Sequence, residues 1–553
     1  MSNILPEELY PDLILHNSRI YTADGNDTMA EAIAVKNSRV YMIGTDSEIL
    51  RLKGKHTEVM DLGGKLVLPG FIDSHEHCIR KGMQLDWVNC GSPPMKSIDG
   101  LVKALEMKAE EKRPGEWVVG NWFDESKLYE RRFPTRHDLD KASRIHPIYL
   151  GRAGGHNGVS NSLALEIAGI NRSISSPSGG RIEKDEKGEP TGRLDELAAM
   201  NIVRGKIPVP SNEESIEIME DNWPKVEEEL LSWGITTVHE AHIKAQEAIA
   251  YQRLLGQGKL RMRVGLMLDG MAPYSGYATD DLSRQGLRTV FGWGDKLKVI
   301  SVKLGVDGAM GSHTAALKQP YVNEPENRGI IRVTPEALNE ETLRCHRAGL
   351  RVCIHAIGDR AIDVALDAIE EAVKKHPWKG HRHRIEHAGL VEKEQLERMA
   401  RLGVAVSASI GFCYPIGDSH FDALGEDMIK IYYPMRSFKD HGIVAGGNSD
   451  NFGENWVITG IHGCVTRETS GGKVLNKSEA IPVTEAIKVY TINGAYLENQ
   501  ECEKGTLEYG KLADMVVLDR DILRINPKGI IDAKALMTFV GGELVYSRTL
   551  ASN

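Results

Sequence analysis

The sequence predicts an α/β fold, an eight-stranded (β/α)8 barrel of the TIM type with a small β-sandwich built from both termini. Two observations predict it. Short apolar strands alternate with amphipathic helices through the middle of the 553-residue chain, and β-rich segments occur at both ends. A doubly wound open sheet produces the same alternation, but the number of strands favours a barrel. A large insertion after the first barrel strand interrupts the pattern.

The two ends of the chain are predicted to form one small domain. Apolar and β-branched residues cluster between turns in DLILHNSRIYT and KLVLPG near the start, and in KLADMVVLD and ALMTFVGGELVY near the end. Chain termini often lie close together in a folded domain. We therefore expect residues 1–68 and 490–553 to build a composite β-sandwich.

The region from 69 to 489 is predicted to form the barrel. Six short strands after residue 230 alternate with helical stretches such as RAIDVALDAIEEAVKKH, and LPGFIDSHEH supplies an earlier strand. Residues 85–230 do not follow this rhythm, because turn-rich segments interrupt it. We expect them to be mostly an insertion over the active-site mouth that also carries the remaining barrel strand.

The composition excludes several classes of protein. Lys and Arg number 68 against 78 Asp and Glu, a net charge of −10, so the basic footprint of a nucleic-acid-binding protein is absent. No apolar run approaches the roughly 20 residues of a membrane helix, and the start lacks the features of a signal peptide. The seven cysteines are too sparse for a disulfide scaffold. We therefore expect a cytoplasmic protein that binds neither nucleic acid nor membranes.

Side chains that can bind metals occur at the ends of the predicted strands. His75 and His77 are separated by one residue in FIDSHEH, so both point to the same face of a strand. Later strands carry further residues of this type, namely Lys303, His355, His387 and Asp450. Barrel closure brings the strand ends together at the face where barrel enzymes build their active sites. The set therefore predicts a metal site at the barrel mouth.

These motifs resemble the amidohydrolase superfamily of metal-dependent hydrolases, and more closely the branch that includes the N-substituted formamide deformylases. The resemblance runs along most of the chain. It rests on LPGFIDSHEH, GGHNGVSNSLAL, GITTVHEA, VKLGVDGAMGSHTAAL, IHAIGDRA, RIEHAG, GGNSD and KGTLEYGKLADMVVLD. It implies a barrel with a terminal β-sandwich, in agreement with the patterns above, and a homo-oligomer, with a dimer favoured.

The resemblance also implies roles for the residues at the strand ends. His75 and His77 would bind one divalent metal ion, and His355 and His387 would bind a second. Asp450 would be a further ligand and the general base that takes a proton from a metal-activated water.

Lys303 would bridge both ions as a carbamate formed with carbon dioxide. A lysine that is not carbamylated is cationic and cannot ligate, so a mononuclear site stays open, with the first two histidines, one later histidine and Asp450. Zinc is the ion expected first, while iron, manganese and nickel also suit imidazole and carboxylate ligands.

Three further histidines are candidates for substrate contact. His156 lies in the glycine-rich GRAGGHNGVSN of the insertion, His239 lies near the end of GITTVHEA, and His313 follows Lys303 in VKLGVDGAMGSH. Each also has a structural interpretation: a loop histidine, a hydrogen-bonding residue behind the site, and part of a turn held by Asp307.

The ligand set and the resemblance predict a metal-dependent hydrolase that cleaves a non-peptide C–N bond in a small amide-type substrate. Two alternatives stay open: a mononuclear deaminase of a cyclic amidine or heterocycle, and a catalytically silent relative with a binding or regulatory role. The intact ligand set speaks against the silent relative. The spacings of phosphate-binding and nucleophile-elbow motifs are absent, so no nucleotide cofactor or serine nucleophile is expected.

Overall fold

A computed structural model describes residues 9–91, 95–153, 155, 157–177, 180–270, 291–450 and 455–548. The strands in chain order are β1 (Leu13–Tyr21), β2 (Met29–Ala30), β3 (Ala32–Lys36), β4 (Arg39–Gly44), β5 (Glu58–Pro69), β6 (Phe71–Glu76), β7 (Val88–Asn89), β8 (Val118–Phe123), β9 (Ile148–Arg152), β10 (Asn157–Ser160), β11 (Arg181–Lys184), β12 (Pro190–Asp195), β13 (Ile235–Ile243), β14 (Arg263–Asp269), β15 (Phe291–Trp293), β16 (Leu297–Gly305), β17 (Val352–Ala356), β18 (Arg384–His387), β19 (Ala405–Ala408), β20 (Ala445–Gly447), β21 (Met515–Leu518), β22 (Ala535–Val540) and β23 (Glu543–Ser547).

The described α-helices are α1 (Asp46–Ile49), α2 (Cys78–Met83), α3 (Ile98–Glu110), α4 (Arg136–Ala142), α5 (Ser162–Ile167), α6 (Glu196–Arg204), α7 (Asn212–Leu231), α8 (Ala245–Gly256), α9 (Pro335–Arg347), α10 (Asp359–Lys375), α11 (Lys393–Leu402), α12 (Cys413–Ile429), α13 (Met435–Asp440), α14 (Trp456–Thr466), α15 (Val483–Val489) and α16 (Ile492–Leu497). None of these has the length and apolar character needed to cross a membrane.

Eight parallel strands form the barrel in the order β20-β19-β18-β17-β16-β14-β13-β6. Polar contacts bridge the two end strands. The Asp450 N–H donates to the His75 carbonyl at 3.0 Å, and the Ser74 hydroxyl donates to the Gly447 carbonyl at 2.8 Å. The predicted eight-stranded barrel is confirmed, and its strand ends carry the predicted ligand residues.

The eighth barrel strand lies at a different place in the chain from the one expected. It is β14, after helix α8, and every one of its residues is buried. The expectation that the insertion carries this strand is therefore wrong. The run VGLML is buried on both faces and shows no alternation, so periodicity alone does not mark it as a strand.

The strands at the two ends of the chain form a separate sheet, as predicted. Its order is β23-β22-β21-β5-β1-β3-β4, with β2 paired to β1. Strand β5 lies parallel to β1 and antiparallel to β21, with Pro69 opposite Met515. Buried apolar side chains from both ends pack together, among them Leu15, Val67 and Phe539. The exact boundaries 1–68, 490–553 and 69–489 stay predictions.

The segment Met83–Ser215 forms a second compact unit. Its sheet has the order β11-β12-β10-β9-β8-β7, and these described strands take no part in the barrel sheet. Two buried apolar clusters stabilise it, one including Leu105 and Leu150, the other including Tyr149 and Leu194. The location of this insertion over the barrel mouth stays a prediction.

Candidate metal centre

The first predicted ligand pair meets Asp450 at the mouth of the barrel. His75 lies in β6, where all six residues are buried, and His77 follows the last residue of that strand. Asp450 Oδ1 is 3.3 Å from Nε2 of His77 and 3.7 Å from Nε2 of His75. A left-handed backbone (φ 53°) at Asp450 turns the chain just beyond β20. One carboxylate oxygen therefore faces both imidazoles.

Two later histidines extend this cluster. The ring centroids of His75 and His387 are 4.7 Å apart, and those of His387 and His355 are 4.5 Å apart. The ligand atoms of His75, His387 and Asp450 all lie within 4.8 Å of one another. An ion with ligand distances of about 2.1 Å can contact all three groups after small adjustments of the side chains.

Hydrogen bonds orient three of these rings. His75 Nδ1 contacts the carboxylate of Glu386. His77 Nδ1 lies 3.2 Å from the carbonyl oxygen of Ala241, and His387 Nδ1 lies 2.8 Å from a serine hydroxyl. A ring that donates its Nδ1–H in this way presents the lone pair of Nε2 to a metal.

His355 is oriented by its other nitrogen. Its Nε2 donates to the carbonyl of Gly308 at 3.0 Å, which leaves Nδ1 as the ligand atom. The loop around Gly308 is fixed by Asp307, whose buried carboxylate accepts backbone N–H bonds from Ala316, Ile357 and Gly358 at 2.8 to 3.0 Å. This arrangement supports the structural interpretation of Asp307 as the residue that holds the turn.

Lys303 lies on β16 and is fully buried. Its Nζ has no hydrogen-bond partner among the described residues. Burial lowers the pKa of Lys303 to about 8, although the negative charges of Glu386 and Asp450 oppose that change. A buried amine without a hydrogen-bond partner destabilises the folded protein, so we expect a further group at this position.

The charge states of the cluster suit a divalent metal ion. Burial and the nearby Lys303 lower the pKa of His75 far below its ordinary value, and burial lowers that of His355 to about 3. Burial alone would raise the pKa of Asp450, but the adjacent imidazoles of His77 and His387 lower it below its usual range. Neutral imidazoles and an ionised carboxylate are the forms that ligate metals. The residues present therefore fit a metal ion.

Of the three predicted substrate-contact histidines, two lie within the described residues. His156 lies outside the described residues. His239 is fully buried, with Nδ1 3.0 Å from an Arg384 guanidinium nitrogen and Nε2 3.6 Å from Glu498. His313 is part-exposed and pairs with Glu324 at 2.7 Å.

Sequence reasoning missed several residues that surround the ligands. Glu386 contacts His75 and pairs with Arg384 at 2.5 Å, and both side chains of that ion pair are fully buried. His242 stacks parallel to His77 with ring centroids 6.2 Å apart, and its Nδ1 is 3.3 Å from Asp269. Strand alternation could have indicated Glu386 and Arg384, because residues two apart in the strand RIEH lie on the same face.

Comparison with known proteins agrees with this fold. A model of the amidohydrolase family matches residues 58–546. An N-substituted formamide deformylase of Arthrobacter pascens is 32% identical, over 97% of this chain and 99% of the relative. The putative amidohydrolase YtcJ of Bacillus subtilis is 31% identical, with the same coverage of 97% and 99%.

A solved structure gives the same result. The uncharacterized metal-dependent hydrolase from Pyrococcus horikoshii matches with a TM-score of 0.74 and 29% identity, covering 93% of this chain and 99% of that chain. The fold and these matches together define a metal-dependent hydrolase. The chain belongs to the amidohydrolase family.

Proposed function

We propose that the protein hydrolyses a C–N bond other than a peptide bond in a small amide-type substrate, such as an N-substituted formamide or a lactam. The observation that carries this proposal is the convergence of His75, His387 and Asp450, whose ligand atoms lie within 4.8 Å of one another. The 32% identity to an N-substituted formamide deformylase supports the choice of bond.

A divalent ion held by His75, His77 and Asp450 would polarise the substrate carbonyl and lower the pKa of a bound water. Asp450 would accept the proton of that water, because its carboxylate is ionised and its side chain is 29% exposed. It would then pass the proton to the leaving nitrogen, so that a neutral amine departs. Nε2 of His77 lies 3.3 Å from Oδ1 of Asp450, so the two atoms could bind the same ion.

We propose two ions per chain, zinc first, with Lys303 as a bridging carbamate. Its neutral amine would add to carbon dioxide with loss of one proton. The full burial of Lys303 and its Nζ, which has no hydrogen-bond partner among the described residues, support this role. A carbamate would supply two oxygen atoms as metal ligands. His355 and His387 would complete the second ion's ligands.

A mononuclear deaminase is the second candidate. It is favoured by the ligand groups found in the described part of the chain, which form a single set of three residues. His355 is absent from that set. A deaminase would release ammonia, with about one metal ion per chain, whereas amide hydrolysis releases a substituted amine and an acid.

The test is to remove metal with a chelator, restore it, and assay N-substituted formamides, amides, ureas and lactams for released amine and ammonia. We expect activity to depend on metal and Asp450→Asn to lower kcat by about 10²- to 10⁴-fold. His75→Ala should lose metal as well as turnover. His137→Ala, at a side chain 73% exposed in the other unit, is the control and should change neither.

The metal content of His355→Ala separates the two candidates. A loss of about one of two ions favours the binuclear hydrolase, and an unchanged single ion favours the mononuclear site. If the wild-type protein binds no metal and added metal leaves its Tm unchanged, the catalytically silent alternative replaces both. We also propose a cytoplasmic location and a homodimer, and light scattering tests the dimer.

A further inference from the structure

We propose that Asn448 is a positioning residue that selects the metal-binding tautomer of His387 through the hydroxyl of Ser409. The proposal rests on the proposed metal site, in which His387 is a ligand. It concerns a residue that touches neither metal nor substrate. All three side chains are buried.

The orientation of the Asn448 amide is fixed by Ser407. Asn448 Nδ2 lies 2.9 Å from the carbonyl oxygen of Ser407 and 2.8 Å from its hydroxyl oxygen. A carbonyl oxygen can only accept, so the NH₂ group of the amide must point toward Ser407. The amide oxygen therefore points to the other side, toward Ser409.

This orientation decides which way the Ser409 hydroxyl points. Asn448 Oδ1 and Ser409 Oγ are 2.8 Å apart, and only the hydroxyl has a hydrogen to place between them. Ser409 must therefore donate to Asn448.

The direction of the Ser409 bond in turn fixes His387. Ser409 Oγ is 2.8 Å from Nδ1 of His387 and has no second hydrogen to offer, so His387 must donate Nδ1–H. An imidazole that ligates a metal ion is neutral and carries one proton. Nε2 is then left with the free lone pair that a metal ion needs.

Ser409 alone would not impose this choice, because a hydroxyl can donate or accept. Without Asn448 the hydroxyl could rotate and donate to Nδ1, and His387 would then carry its proton on Nε2 and could not ligate through that atom. His75 needs no such device, because the ionised carboxylate of Glu386 can only accept. His75 faces a carboxylate and His387 faces a hydroxyl, so only His387 needs Asn448 to fix its tautomer.

The test uses Asn448→Leu, which keeps much of the volume but removes the acceptor, and Asn448→Asp, which retains one. Ring ¹⁵N shifts of metal-free, ¹⁵N-histidine-labelled protein report the tautomer, with His387→Gln identifying the signal. We expect an Nδ1–H ring in the wild type and in Asn448→Asp. Asn448→Leu should move the population toward Nε2–H and weaken Co²⁺ affinity about 10- to 100-fold.

Ser407→Ala is the matched control. It removes a neighbouring hydroxyl but keeps the backbone carbonyl that orients Asn448, so the tautomer and Co²⁺ affinity should stay as in the wild type. If Asn448→Leu does not fold, Ser409→Ala carries the test, because it should also abolish the preference for Nδ1–H.

An unchanged tautomer in the folded Asn448→Leu or Ser409→Ala protein would overturn the proposal. The tautomer is measured without metal or substrate. A failure of the proposed hydrolase activity would therefore leave this result intact, and the two failures can be told apart.

Discussion

Glu386 contacts Nδ1 of His75 inside the barrel, and the exposed fractions of the two side chains are 0% and 2%. The carboxylate is itself held by Arg384 at 2.5 Å, on the same strand. Arg384 also donates to the backbone carbonyl of Ser74 at 2.9 Å. A candidate metal ligand is thus fixed by a buried ion pair, which orients the ring and raises its basicity as a ligand.

Replacing Glu386 should therefore weaken metal binding. Glu386→Gln keeps the size of the side chain but removes the charge that holds Nδ1–H of His75. We expect the metal dissociation constant to rise about 10- to 100-fold, measured by competition with a chromogenic chelator. The control is Glu227→Gln, which removes the charge of another buried carboxylate, paired at 2.8 Å with the part-exposed Arg261. Equal metal affinities in both variants would contradict the role of Glu386.

Lys303 should make stability depend on pH in metal-free protein. Its pKa is 10.5 in an unfolded chain and about 8 in the folded state, so the unfolded state binds more protons between these values. The free energy of unfolding should therefore rise with pH from about 8 to about 10.5. The difference between a pKa of about 8 and one of 10.5 corresponds to an increase of about 3 kcal/mol in the free energy of unfolding.

The measurement is urea unfolding in carbonate-free buffer, with Lys303→Met as the reference. The methionine variant lacks this titration, while the other groups that ionise in the same range remain. The difference between the two proteins should grow in favour of wild type across that range. A difference independent of pH would show that Lys303 titrates normally.

The loop beside His355 should tolerate no side chain at Gly358. A Cβ there would lie 2.0 Å from the carbonyl oxygen of Ala316, and the Gly358 N–H donates to Asp307 at 2.9 Å. Gly358→Ala should lower the free energy of unfolding by about 1–3 kcal/mol or more, because backbone must move. Gly311→Ala is the control, since no atom lies within 4 Å of its Cβ and the change should stay within about 0.5 kcal/mol.

His242 should contact substrate. Its side chain is 29% exposed beside His77, whereas the predicted His239 is fully buried. The loss of one hydrogen bond in His242→Ala should lower kcat/KM about tenfold with metal content unchanged. Kinetics on metal-loaded protein, with metal analysis of the same sample, check this. A parallel loss of metal would instead mean that His242 supports the ligands.

The sequence could predict the barrel and most of the ligand cluster for a simple physical reason. Parallel strands end at one face, so ligand-type residues at strand ends must converge even when far apart in the chain. His75 and Asp450 meet in this way at the join between β6 and the end of β20. The orientation of each ring could not be predicted, because it depends on hydrogen-bond partners that no residue pattern indicates. The backbone carbonyl of Gly308, which accepts a hydrogen bond from His355, is one of them.

Glu386 and His387 show why alternation alone was insufficient. They are adjacent in the chain, so an extended strand would place them on opposite faces. In the structure both contact His75, because His387 has a left-handed backbone with φ 71° that turns its ring inward. Such a conformation is uncommon for histidine and leaves no mark in the residue pattern, so the sequence could indicate one of the two residues only.

The pairing of β5 with β21 bears on how the protein is made. Gly70, which joins β5 to the strand carrying His75, donates its N–H to Asp514 at 2.8 Å, and Pro69 lies opposite Met515. During synthesis, Gly70 leaves the ribosome hundreds of residues before Asp514, the residue that accepts its hydrogen bond. A chain stalled before residue 515 would expose one edge of β5, an open template for aggregation. Strand β5 thus gains its pairing with β21 only after all the barrel strands have been synthesised.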